Sequence, residues 1–182
     1  MARIPLPNDD ELDERALALL GVLPKLNVAR MLARTGIAPE FYAVLGKLFQ
    51  EDFLAPDDRE VILFRVCRNN GSTYEIPQHR AFSGLSDQIV DGILEDRLDV
   101  LDLWHRSLCL MCDEICKQGR LSDDSVASLV THYNGPNGAC RAILVMSWFN
   151  MLTRYVDSTG VPPETGDNPY RRMTGPAVGG TS

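Results

Sequence analysis

Apolar residues recur at helical spacing along nearly the whole chain, and no segment alternates strongly enough to make a strand. The longest such pattern covers residues 98–117, where Leu101, Trp104, Leu108, Met111 or Cys112, and Ile115 fall on one stripe. A first amphipathic helix is expected over residues 9–20, with Leu12, Ala16, Leu19 and Leu20 on one side. Asn27 reads as the cap of a short helix ending near Leu32, and residues 38–50 make another. The stretch APDDREVILFRVCRNNG gives a helix over residues 58–68, entered after Pro56 and stopped by Asn69-Asn70-Gly71. Ser86 starts a helix carrying Ile89, Ile93 and Leu94, and Ser122 opens a further short one. GPNG at residues 135–138 breaks the chain before a final apolar helix over residues 139–156. The fold class that follows is all-α, with about 7–9 helices.

A chain of 182 residues with 45% hydrophobic content buries one full core, and residues 1–157 are expected to form a single domain. Residues 158–182, rich in Gly, Pro, Ser and Thr, read as a tail that is disordered or laid along a neighbouring subunit. The net charge of -7 argues against nucleic acid as the main partner, because phosphate binding needs a basic surface. No apolar run is long enough to span a membrane, and the N-terminus turns acidic where a signal peptide needs its apolar stretch. A cytoplasmic protein is expected. Its five cysteines, an odd and scattered set, do not read as a disulfide framework.

Chemistry concentrates in GSTYEIPQH, residues 71–79, which holds one of the three histidines of the chain. Glu75 and His79 stand four apart, so on a helix the carboxylate can orient the imidazole for proton transfer near neutral pH. Ser72 and Tyr74 add hydroxyls that can hold a substrate or relay a proton. A plainer reading fits the same letters: Ser72-x-x-Glu75 is a capping box, and Pro77 favours a kink. Glu60, on the preceding helix, also stands at capping-box spacing, from Asp57, although a helical hairpin brings it beside His79. CLMC (residues 109–112) falls in mid-helix on an apolar stripe, where a thiol gains nothing from a helix N-terminus, so packing is expected there and not redox chemistry. His105 and His132 are isolated; His105 has a route to the cluster from the second half of the chain. Neither a zinc-finger spacing nor a Gly-rich phosphate loop is present, and no cofactor or metal is expected.

The order Arg59-Glu60, ILFRVCRNNGSTYE, His79 and AFSGLSDQIVDGI resembles the carboxymuconolactone decarboxylase family, in the superfamily that also holds the alkylhydroperoxidase D proteins. The peroxidase branch carries Glu-x11-Cys-x2-Cys-x3-His. On this chain Glu60 and His79 take the outer positions, while Ser72 and Glu75 replace the two cysteines. The resemblance is therefore to the non-peroxidase members. It implies a helical bundle built around a helical hairpin, a homo-oligomer, and one pocket shared by Glu60, Glu75 and His79.

The expected function is that of a lyase or isomerase working by general acid–base catalysis on a small carbonyl or lactone compound, with carboxylactone decarboxylation the reaction the resemblance names. Loss of carbon dioxide leaves an enolate-like carbanion that needs a proton donor and a polarising group. His79 is cast as proton donor or shuttle, Glu75 as its orienter, Glu60 as second acid/base and Tyr74 as donor to the oxyanion. Ser72 is assigned to substrate binding, and Arg59, Arg65 or Arg80 to the substrate carboxylate. The rival readings are a non-catalytic oligomeric scaffold or ligand-binding protein, and a thiol-dependent peroxidase built on an accessible cysteine such as Cys67.

Overall fold

A computed structural model of the chain describes residues 3–164, and among these there are nine α-helices and no strand. The helices are α1 (Glu14–Val22), α2 (Asn27–Ala33), α3 (Ala38–Leu48), α4 (Pro56–Asn70), α5 (Glu75–Arg80), α6 (Asp87–Leu94), α7 (Leu103–Gln118), α8 (Asp123–His132) and α9 (Pro136–Thr159). The all-α expectation holds. No helix among the described residues is long and apolar enough to cross a membrane.

Helix α4 is the axis of the molecule, packed by α6, α7 and α9. Pro56 sits in its first turn, where a missing N–H costs no helical hydrogen bond. Gly71 ends it in the left-handed conformation, φ 68°, which a side chain would resist. Between these stops every residue from Asp58 to Cys67 is buried, so the helix has no wet face. Val61, Ile62, Leu63, Phe64 and Val66 are fully shielded, each stabilising the fold by about 1.5–3 kcal/mol relative to exposure.

Burying a helix on all sides forces its polar residues to find partners inside. Arg65 reaches α7, where Nε and Nη2 donate to the two carboxylate oxygens of Asp113 at 2.7 Å each, and Nη1 donates to Asp96 at 2.7 Å. Asp58 accepts from the Trp104 indole at 2.9 Å and from the Tyr133 hydroxyl at 2.7 Å, joining α4 to α7 and to the end of α8. Asn70 donates to Asn150 and Thr153 of α9. Three polar ties thus fix α4 against its neighbours.

Several element ends differ from the sequence expectation, each for a local reason. The segment 9–20 is split into a short 3-10 turn, Asp9–Glu11, and α1, because the Asp13 carboxylate accepts the N–H of Ala16 and starts a new helix. Likewise the 98–117 pattern divides into a 3-10 turn, Leu98–Val100, and α7, with Asp102 accepting from His105 N–H. Asn27 is not a cap; it is the first residue of α2, and its amide donates to the Pro162 carbonyl at 3.0 Å. Ser86 and Ser122 do cap α6 and α8. Helix α9 runs on to Thr159, and Val161 beyond it is buried, so residues 158–164 pack onto their own chain. The rest of the expected tail, residues 165–182, lies outside the described residues.

Helices α1, α2 and α3 form a layer of their own. It meets α5 where Val28 N–H donates to the Tyr74 hydroxyl at 3.0 Å, and α9 where the Tyr155 hydroxyl donates to the Met31 carbonyl at 3.0 Å. Phe41 of α3 lies 4.5 Å, ring to ring, from Trp148 of α9. Between this layer and the rest of the bundle the chain leaves a cavity.

Candidate active site

Four residues after α4 ends, α5 turns back beside it, which sets Glu60 of the first helix against His79 of the second. Pro77 is the third residue of α5 and so occupies the first turn, where no intrahelical hydrogen bond is lost and no kink is required. His79 Nδ1 lies 2.6 Å from Glu60 Oε2, with both side chains almost wholly buried. Arg59 Nε donates to the other oxygen, Glu60 Oε1, at 3.2 Å, while its guanidinium lies over the Phe49 ring, 4.4 Å from the centroid. Glu75 Oε2 is 3.8 Å from His79 Nε2, close enough to feel its charge but too far for a hydrogen bond.

The capping explanations fall. The N-cap position of α4 is Ala55 and that of α5 is Tyr74, and neither helix has a side-chain cap. Ser72 instead donates its hydroxyl to Asp157 of α9 at 3.2 Å. Glu60 is held by His79 and Arg59. Glu75 keeps one buried oxygen, Oε1, with no hydrogen-bond partner among the described residues. A buried polar atom left open in this way is costly unless something else completes it.

Other atoms of Glu75 border a cavity of about 720 Å³. Glu75 and His79 contribute to its lining together with Phe49, Phe82 and Phe149, and the α1–α3 layer supplies leucines and further aromatic residues. Phe82 lies 4.7 Å from the imidazole, ring to ring, and Phe49 and Phe149 lie 6.0 Å away, so three aromatic rings surround the imidazole. Nothing in the sequence singles out these rings as a group. The position of Phe82, one turn beyond His79, was the only local hint.

The remaining expected site residues are elsewhere engaged. Tyr74 is buried away from the cavity, its hydroxyl donating to Glu164 and accepting from Val28, so it is not placed to polarise a substrate oxygen. Ser72 does not line the cavity. Arg65 is bound to Asp113 and Asp96, and Arg80 to Asp87 and Asp91. Arg59 alone of the three touches the cluster, and it does so through Glu60. His105 does not approach the cluster; it sits between Asp58, at 3.3 Å, and Asp102, at 2.8 Å. His132 stacks on Trp104 at 3.4 Å. Glu164, unmarked in the sequence, binds the α2 N-terminus through Asn27 N–H at 2.8 Å and also accepts from Gln78 of α5 at 2.9 Å.

Burial raises the pKa of Glu75 above the ordinary carboxyl range, with Glu164 and Asp157 adding to the rise while His79 opposes it. The protonated form is therefore favoured in the folded protein relative to the unfolded one. That part of the stability is complete below the unfolded pKa and is lost as pH rises through the higher folded value. Glutamine imitates the protonated carboxyl, so Glu75→Gln is expected to be more stable than wild type at neutral and alkaline pH, with the difference vanishing in acid. Thermal melts of both proteins across pH check this; a constant offset at every pH contradicts it.

No family model matches the chain, and no curated protein matches it in sequence. Among solved structures it is similar to an alkylhydroperoxidase AhpD core, an uncharacterized peroxidase-related protein from Ralstonia eutropha JMP134. The TM-score is 0.71 at 20% identity, covering 93% of this chain and 94% of that one. The fold is AhpD-like. At this identity the likeness speaks to fold alone, and the chemistry must be argued from the side chains present.

Those side chains do not favour a thiol. Cys67, Cys109 and Cys112 are fully buried; burial pushes Cys109 up to about 12 and raises Cys67 and Cys112 as well, and Cys116 is also raised by burial. CLMC lies within α7, as its apolar stripe suggested. Reaction of the native protein with a thiol reagent should label exposed Cys140 promptly and half-buried Cys116 slowly. Cys67, Cys109 and Cys112 should react only after denaturation. Fast native labelling of Cys67 would restore the peroxidase reading.

Proposed function

We propose that the chain is a general acid–base enzyme that moves a proton on a small carbonyl or lactone compound, using Glu60, His79 and Glu75. The observation that carries this is the 2.6 Å contact from Glu60 to His79 Nδ1. With the proton on Nδ1 donated to Glu60, the lone pair of Nε2 is left for a substrate, and the imidazole is fixed in that tautomer. Glu60 is thus the orienting carboxylate, and Glu75 is the acid: the reverse of the expected assignment.

The step balances within these groups. His79 Nε2 takes the proton from the carbon next to the carbonyl, and the C–H electron pair passes into the carbonyl to give an enolate. The Glu75 carboxyl, whose pKa is raised by burial, donates to the enolate oxygen when it carries its proton. Return of the proton from the imidazolium to the same carbon gives exchange; return to a conjugated carbon gives double-bond migration. In the decarboxylation named by the resemblance, a C–C bond breaks instead, carbon dioxide leaves with no electrons from that bond, and the carbanion takes a proton from the site.

Proton NMR in heavy water tests the proposal. Enolisable ketones, unsubstituted lactones and carboxylated lactones are incubated with wild type and with His79→Ala. Deuterium uptake or carbon dioxide loss by wild type, abolished in the variant, supports it; turnover equal in both proteins overturns it.

A further inference from the structure

The lining of the cavity, and not its catalytic corner, decides what enters. Beyond Glu75 and His79 the only side-chain polar atom among the described lining residues is the phenol of Tyr42; no lysine, arginine, asparagine, glutamine, serine or threonine contributes. Arg59, Arg65 and Arg80 are each committed to carboxylates of this chain. A carboxylate ligand placed here would meet no cation among the described lining residues and would lie beside the Glu75 carboxyl and the Glu60–His79 pair, so those residues would desolvate its charge without compensating it. A neutral apolar body meets aromatic and leucine side chains on its flanks, and a single carbonyl oxygen has in Glu75, which lines the cavity, a donor whenever that carboxyl is protonated.

Resting on the acid–base reading above, we propose that the substrate is a neutral, hydrophobic monocarbonyl compound of at least bicyclic size. Its carbonyl oxygen lies at Glu75 and its α-carbon at His79 Nε2, with the apolar remainder between Phe82, Phe149 and the leucines of α1. The reaction is then enolisation or double-bond migration. Decarboxylation is disfavoured, since it requires the substrate to enter as an anion that this lining repels. Substrate choice lies with the α1–α3 layer, which supplies apolar walls where a decarboxylase needs a cation.

Equilibrium dialysis measures this directly with two probes, β-acetylnaphthalene and the same ketone carrying a carboxylate on its distal ring, at mildly acidic pH, where the probe carboxylate is ionised and protonation of Glu75 is favoured. Wild type should bind the neutral ketone about tenfold or more tightly than its charged twin. Leu23→Arg places a cation at a half-buried lining position, at the C-terminal end of α1 where positive charge is tolerated, and should narrow or reverse the preference. Equal affinity for the two probes, preference of wild type for the acid, or no binding of either overturns the proposal. So does an unchanged preference in Leu23→Arg, because the ligand would then lie outside this cavity. The readout does not involve turnover: neutral binding without any deuterium exchange would leave the ligand class standing and remove the catalytic reading, whereas His79-dependent exchange of the acid alone would do the opposite.

Discussion

Replacing His79 by alanine should slow α-proton exchange by a factor of about 10²–10⁴, the usual worth of a positioned general base. The effect should fall on kcat. Glu60→Gln is the sharper test of the geometry, because Glu60 lies behind the imidazole and does not line the cavity. An amide at that position can donate to Nδ1, which moves the imidazole proton to Nε2 and removes the lone pair the substrate needs. Most of the rate should be lost in Glu60→Gln while KM hardly moves; a change confined to KM, or to thermal stability, would reduce Glu60 to a packing role. The pH profile separates the third group. If Glu75 acts as the acid, the rate declines as pH rises through its burial-raised pKa, and Glu75→Gln flattens that limb.

The backbone of this reading was legible in the sequence, and the packing that sets its detail was not. Helical periodicity was enough for α4, α6, α8 and α9 because their apolar residues and stop signals agree. It ran two elements together at Asp13 and Asp102, since an aspartate inside an amphipathic pattern looks like one more polar residue until its carboxylate is seen on a backbone N–H. Glu60, Glu75 and His79 were legible as a cluster from spacing and resemblance. Their mutual geometry was not, because whether Glu60 or Glu75 reaches the imidazole depends on how α4 and α5 pack, at 2.6 Å against 3.8 Å. Tyr74 and Ser72 misled for a related reason. Proximity along the chain suggested a shared site, yet their hydroxyls turn to partners 90 and 85 residues away, Glu164 and Asp157. The apolar lining was out of reach, for a leucine facing a cavity and a leucine facing the core have the same period.

The largest stability effect is expected away from the cavity, at the Arg65–Asp113 pair. The Arg65 side chain is 2% exposed, and Asp113 closes its fork with two bonds of 2.7 Å. Asp113→Ala leaves a guanidinium, which cannot give up its proton, buried in α4 with Asp96 as its remaining carboxylate. The loss should be about 3–5 kcal/mol, read as a shift in denaturant midpoint at unchanged m-value. Arg80, paired at the surface with Asp87 and Asp91, provides the contrast: Arg80→Ala should cost at most about 1 kcal/mol. If Asp113→Ala falls in that same small range, the buried pair is not what joins α4 to α7. The double change Arg65→Met with Asp113→Leu removes both charges and should recover most of the loss, since the cost lies in the unpaired ion and not in the missing bridge. Glu60 rides on the same helix as Arg65, one and a half turns away. Recovery of stability in the double variant should therefore restore the Glu60–His79 contact, and with it the exchange rate, without either altered residue touching the cavity.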